Sequence, residues 1–146
     1  MCTKKVYNEE AKKLRITQEA DYALRIVAML ASQDSFADAN TIAENAGITQ
    51  RFALKILRKL VLGEIVCSQK GANGGYKLAK KPEAITLKAV IELIDGEIAI
   101  SKCLSSEHIC SKQGENKSAC KIHLIFDAIN SDIVKRLEKI TIASVI

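Results

Sequence analysis

The 146-residue chain is 48% hydrophobic but has no Trp and only 4% aromatic residues. An aliphatic core of Leu, Ile, Val and Ala is therefore expected, in one domain or one domain with an added arm. One Pro and seven Gly argue against a turn-rich sandwich and for helices; no apolar run nears the ~20 residues a bilayer needs, and the charged start Met1–Glu10 lacks an apolar signal core, so the expectation is a cytoplasmic protein.

Residues 1–13 are polar and irregular, a flexible arm in which Cys2 is a bystander. Thr17 is placed to cap a helix running to Ser32, with Glu19 and Asp21 near its positive end and Ala20, Ala23, Leu24, Val27, Leu30 and Ala31 at helical spacing. Asp38 caps a short helix ending at Ala46, with Gly47 as its stop, and Thr49 caps a third helix to about Leu62, closed by Gly63. Two short helices joined by Gly47-Ile48-Thr49 make a helix-turn-helix. Ile65–Gln69 and Tyr76–Ala79 suit short strands, and Asn73-Gly74-Gly75 supplies the positive-φ residues of the hairpin between them. Thr86 caps a further helix to about Ile94, ended by Asp95-Gly96. Residues 97–119 lack periodicity. A long helix then spans about Lys121 to Lys139, with Ile122, Ile125, Ile129, Ile133, Leu137 and Ile140 in a stripe that Leu124, Ala128 and Val134 widen. A face that wide is expected to pair with a second subunit.

The net charge of +5 is unevenly spread. Thr49 to Lys81 holds eight basic residues against one acid, Glu64, so this segment carries +7 and the rest of the chain −2. A basic patch on a near-neutral body is the footprint of a polyanion binder. On the third helix Phe52, Ala53, Ile56, Leu57 and Leu60 should face the core, leaving Gln50, Arg51, Lys55, Arg58 and Lys59 outward with no acid among them. Thr49, Gln50 and Arg51 stand at the end that meets base edges in a major groove; Lys55, Arg58 and Lys59 are placed for phosphates, and Lys70 and Asn73 for wing contacts to a minor groove or backbone. A solvated basic helix face is the plain alternative.

Five cysteines in a reducing compartment point to metal or redox chemistry rather than disulfides. Cys103, Cys110 and Cys120 read C-x6-C-x9-C in a Ser-, Gly-, Lys-, Gln- and Asn-rich stretch, and His123 follows one helical turn after Cys120. Three thiolates on one loop can converge on a soft metal or cluster, with His123 as a fourth ligand. Zinc-type C-x2-C knuckles are absent, and a redox-active or unliganded thiol loop is the alternative.

Leu14-Arg15-Ile16-Thr17 with Asp21-Tyr22-Ala23-Leu24, Ile42-Ala43-Glu44 through Gly47-Ile48, Leu57-Arg58-Lys59-Leu60 with Gly63, and the wing Lys70-Gly71-Ala72-Asn73-Gly74-Gly75-Tyr76-Lys77-Leu78-Ala79 resemble the IscR/NsrR-type (Rrf-two) bacterial regulators. The resemblance spans about residues 14–142, and Gly-Gly-Tyr-x-Leu is its most specific part. It implies a mainly α fold with a small β-hairpin: a winged helix-turn-helix over 14–82, a connecting helix and cysteine-rich loop over 83–120, and a dimerisation helix and tail over 121–146. It also implies that Cys103, Cys110 and Cys120 are iron–sulfur ligands. His123 matches the histidine ligand of the biogenesis-regulator branch, whereas Asp21 matches the position where the nitric-oxide-sensing branch takes a carboxylate from the partner subunit. The first favours [2Fe-2S], the second [4Fe-4S]. The x6 and x9 spacings are longer than is usual for the biogenesis branch.

The expectation is thus a homodimeric regulator of double-stranded DNA at a pseudo-palindromic site, a repressor sensing iron, sulfur, redox or nitrosative status through the cluster. Its rival is a cluster-free regulator of the same fold, controlled by a partner protein or by thiol oxidation. No C-x-x-C, nucleotide-binding loop or Cys-His-Asp order supports an enzyme or a small-molecule substrate.

Overall fold

Four helices begin where a hydroxyl or carboxylate takes up backbone N–H groups that a helix start leaves unpaired. In a computed structural model, which describes residues 16–111, 114 and 116–146, Thr17 accepts from Ala20, Asp38 from Asn40 and Thr41, Thr49 from Phe52 and Thr86 from Ala89. The helices they start are α1 (Gln18–Ala31), α2 (Ala39–Ala46), α3 (Gln50–Leu62) and α4 (Leu87–Asp95). The long helix α5 (Lys121–Lys139) follows Cys120, which contributes no side-chain cap. The expected flexible arm and Cys2 lie outside the described residues.

Strands β1 (Val66–Gln69) and β2 (Gly75–Leu78) pair antiparallel, from Val66 opposite Leu78 to Gln69 opposite Gly75. The turn between them corrects the sequence reading. Positive φ falls on Gly71 (111°) and Gly75 (144°), not on Asn73 or Gly74. Gly74 is needed for a different reason: a Cβ there would collide with the Gln69 carbonyl and the Lys70 backbone. Gly75 combines its dihedral with a close approach to Ala37, whose carbonyl accepts the Tyr76 N–H at 2.8 Å while its own N–H donates to the Tyr76 carbonyl at 3.0 Å. The wing is therefore tied to the segment before α2 as well as to itself.

The end of α3 differs in the same way. Gly63 has φ −84°, and the left-handed residue is Glu64 at 55°, which lets Ile65 N–H reach the Leu60 carbonyl at 3.0 Å. Gly63 instead gives room to the Leu93 side chain of α4.

The apolar faces of α1 to α4 meet in one aliphatic core that includes Ala23, Ile26, Val27, Leu30, Ile42, Ile56, Leu57, Leu60, Val66, Ile85 and Val90. The core has one contributor the sequence did not reveal. After α5 the chain returns to lie beside residues 85–87: Leu87 N–H donates to the Ile140 carbonyl at 2.9 Å and Ile142 N–H to that of Ile85 at 2.8 Å. Ile142 is 0% exposed. Residues of the three expected segments 14–82, 83–120 and 121–146 thus share one core. By contrast α5 has no buried residue: Ile122 is 64% exposed, Ile125 61% and Ile129 45%. Among the described residues no helix is long and apolar enough to cross a membrane.

Candidate nucleic-acid interface and cysteine loop

Helix α3 buries Ala53, Ile56, Leu57 and Leu60, one stripe at helical spacing, so the residues opposite must point outward. Gln50, Arg51, Lys55 and Arg58 are exposed, as expected. Arg51 and Arg58 occupy the middle of this face, and Lys70 and Asn73 are exposed in the turn of the adjoining wing. Thr49 spends its oxygen on the Phe52 N–H (3.3 Å), which fixes the end of α3 that carries Gln50 and Arg51. Phe52 is half-buried and packs against the core, edge-on to Tyr22 of α1 with ring centroids 5.9 Å apart.

None of these outward residues is acidic, but a carboxylate from another helix reaches two of them. Glu19, from the first turn of α1, meets Lys55 Nζ at 3.0 Å through Oε2 and Lys59 Nζ at 2.7 Å through Oε1. Lys59 is accordingly half-buried instead of free in solvent. Burial pushes the Glu19 carboxyl up, but the contacts and charges of Lys59 and Lys55 outweigh it and leave the pKa below the usual carboxylate value. Only Lys55 adds a hydrogen bond of good geometry, so Oε1 keeps a charge contact with no hydrogen bond. Sequence reasoning missed this because Glu19 and Lys55 are 36 positions apart.

A second long-range contact sits at the start of α1. Thr17 N–H donates to Asp95 Oδ2 at 3.0 Å and its hydroxyl donates to the other Asp95 oxygen, fastening the head of α1 to the last residue of α4. Residues 97–119 leave from that point. Asn130 of α5 holds their first stretch, accepting from Ile100 N–H and donating to the Ile98 carbonyl, both at 3.0 Å.

Cys103, Cys110 and Cys120 are all half-buried along this segment. Cys103 Sγ lies 3.3 Å from Ser101 Oγ, in a short 3-10 turn (Lys102–Leu104) that packs on α5. The Cys110 carbonyl accepts the Gly114 N–H at 2.8 Å. Cys120 adjoins the start of α5, and His123 lies in its first turn with a buried Nδ1 that has no hydrogen-bond partner among the described residues. Asp21 pairs with Arg25 at 2.9 Å. Among the described residues, no three His, Cys, Asp or Glu side chains come together in a way that would hold a metal ion. The donors suit iron in kind, three thiols and an imidazole with an orphaned nitrogen. Cys67, by comparison, belongs to the wing, its sulfur 3.9 Å from the Leu78 carbonyl.

The chain is 32% identical to a helix-turn-helix-type transcriptional regulator of Aquifex aeolicus (strain VF5) over 126 residues, covering 86% of each. It is 29% identical over 135 residues to the transcriptional regulator IscR of Yersinia pestis, covering 91% of this chain and 79% of that one. Among solved structures, CymR, the global cysteine regulator of B. subtilis, superposes with a TM-score of 0.72 at 22% identity, covering 90% and 95% of the two chains. The IscR of T. potens gives 0.70 at 20%, covering 90% and 85%. These relatives are transcription regulators and not enzymes, and the structural neighbours share the winged-helix fold. The family model for Rrf2, described as an iron-dependent transcriptional regulator, matches residues 16–146, and the chain belongs to that family.

Proposed function

We propose that the protein is a homodimeric, DNA-binding repressor whose hold on a pseudo-palindromic operator is set by an iron–sulfur cluster on Cys103, Cys110, Cys120 and His123. The observation that carries the DNA half is the face of α3, where Arg51 and Arg58 stand exposed beside the wing. Arg51 and Gln50 read base edges at the helix start, each good pair contributing ~1–3 kcal/mol of discrimination. Arg58, Lys70 and Asn73 hold phosphate and groove. Exposed Ile122, Ile125 and Ile129 on α5 supply the apolar seam for a second copy, which sets the spacing of two recognition helices.

The cluster half rests on the donor set, above all on His123 Nδ1, buried and unpartnered one turn after Cys120. His123 is the preferred fourth ligand, and [2Fe-2S] the preferred cluster, because Asp21 is already paired with Arg25. The [4Fe-4S] form with Asp21 of the partner subunit is the variant reading. When bound, the cluster supplies reversible electron transfer and a lability suited to sensing iron, sulfur, redox or nitrosative status. The chain supplies the linkage: Asn130 holds residues 98–100 to α5, and Asp95, just before them, holds the head of α1. A switch needs that linkage to differ between two states by ~1–3 kcal/mol.

A second reading, a cluster-free regulator controlled by a partner protein or by thiol oxidation, is favoured by one observation: among the described residues no three His, Cys, Asp or Glu side chains are grouped to hold a metal ion. Anaerobic purification with absorption spectra and iron and sulfide analysis separates the two. The cluster reading expects coloured protein whose iron is lost in Cys110→Ala. Colourless, iron-free wild-type protein selects the second reading and leaves DNA binding intact. For the DNA half, Arg51→Ala should relax base preference by ~1–3 kcal/mol, whereas Arg58→Ala should weaken all sequences alike and flatten the salt slope by about 0.9.

A further inference from the structure

The recognition helix carries two kinds of cation. Arg51 and Arg58, in the middle of the exposed face, have no acidic partner among the described residues. Lys55 and Lys59, one turn apart on its edge toward α1, share one carboxylate, Glu19. Glu19 is well placed to compete for them. Its side chain is only 18% exposed and sits in the first turn of α1, where the helix start favours an anion. The lysines keep 58% and 36% of their side-chain surface open, so a DNA phosphate can approach them. Phe52 of α3 and Tyr22 of α1 also join the two helices through an edge-on ring contact that involves no charge.

We propose that Glu19 is a specificity-determining residue, an internal stand-in for phosphate that occupies Lys55 and Lys59 and so suppresses sequence-independent DNA binding. The proposal rests on α3 being the DNA-binding helix. Sequence-independent affinity comes from cations that neutralise phosphates and release counterions, each steepening the log–log salt dependence by about 0.9. Two lysines held on one carboxylate are both kept from neutralising phosphates, while Arg51 and Gln50 are untouched. The ratio of specific to non-specific binding is raised by lowering its denominator.

The test measures binding of the full chain to a random-sequence duplex across a salt series. Glu19→Gln keeps shape and burial but removes the charge. Its salt slope is expected to steepen by about 1–2, so that its loss of affinity between about 50 and 200 mM salt is ~10-fold larger than that of wild type. Adding Lys55→Gln and Lys59→Gln to that variant should return the slope to near the wild-type value. A purely structural role for Glu19 would lower the melting temperature and leave the slope unchanged, and an unchanged slope in a folded Glu19→Gln protein overturns the proposal. If Glu19→Gln does not fold, Lys55→Gln with Lys59→Gln in the wild-type background decides it: a slope lowered by about 1.8, the full amount for two free cations, also overturns it. Wild-type protein that binds no duplex at any salt would overturn the DNA reading itself, a result distinct from either.

Discussion

The winged helix and the segment that follows it are built to different standards. From Thr17 to Asp95 each of the four α-helices starts on a side-chain cap, and their apolar faces meet in one core. From Glu97 to Lys139 the described chain makes short 3-10 turns and one long helix with no side-chain cap and no buried residue. The first region packs its own apolar faces against one another. The second leaves apolar surface exposed and, among the described residues, a buried imidazole nitrogen unsatisfied. The exception sharpens the contrast: Ile142, beyond α5, belongs to the core of the first region.

That contrast can be broken by substitution. Ile142→Ala should cost about 2–5 kcal/mol in urea unfolding, as for a fully buried core residue, although it lies four residues from the end of the chain. A loss under ~0.5 kcal/mol would detach the tail from the winged helix. Gly75→Ala meets both a positive φ and the Ala37 carbonyl, so a penalty of roughly 1–3 kcal/mol is expected, together with faster hydrogen exchange at the Tyr76 amide. The smallest effect belongs to α5. Ile122→Ala should leave chain stability within ~0.5 kcal/mol while weakening the proposed self-association in sedimentation equilibrium. If unfolding changes and self-association does not, the seam lies elsewhere.

Within the winged helix, most of the local structure was legible because its signals are local. Thr17, Asp38, Thr49 and Thr86 start helices within a few residues, and Gly47 ends one at φ 67°. The glycines were found for partly the wrong reason: three adjacent turn-formers looked like a dihedral requirement, whereas Gly74 answers to the Gln69 carbonyl and Gly75 also to the distant Ala37. For the cysteines, type and spacing could be read, but the geometry of a ligand set is three-dimensional, and among the described residues none is assembled.

What the sequence determined alone was the order and bounds of the helices, the basic stripe of α3 and the inventory of thiols, since each follows from neighbours within one or two turns. Tertiary structure alone decided that Glu19 meets Lys55 and Lys59, that Asp95 fastens Thr17 across 78 positions, and that Ile142 closes the core beside Ile85. The physical reason is the same in each case. Charges and apolar groups far apart in the chain carry no periodicity that links them, and only packing the helices brings them within a few ångströms.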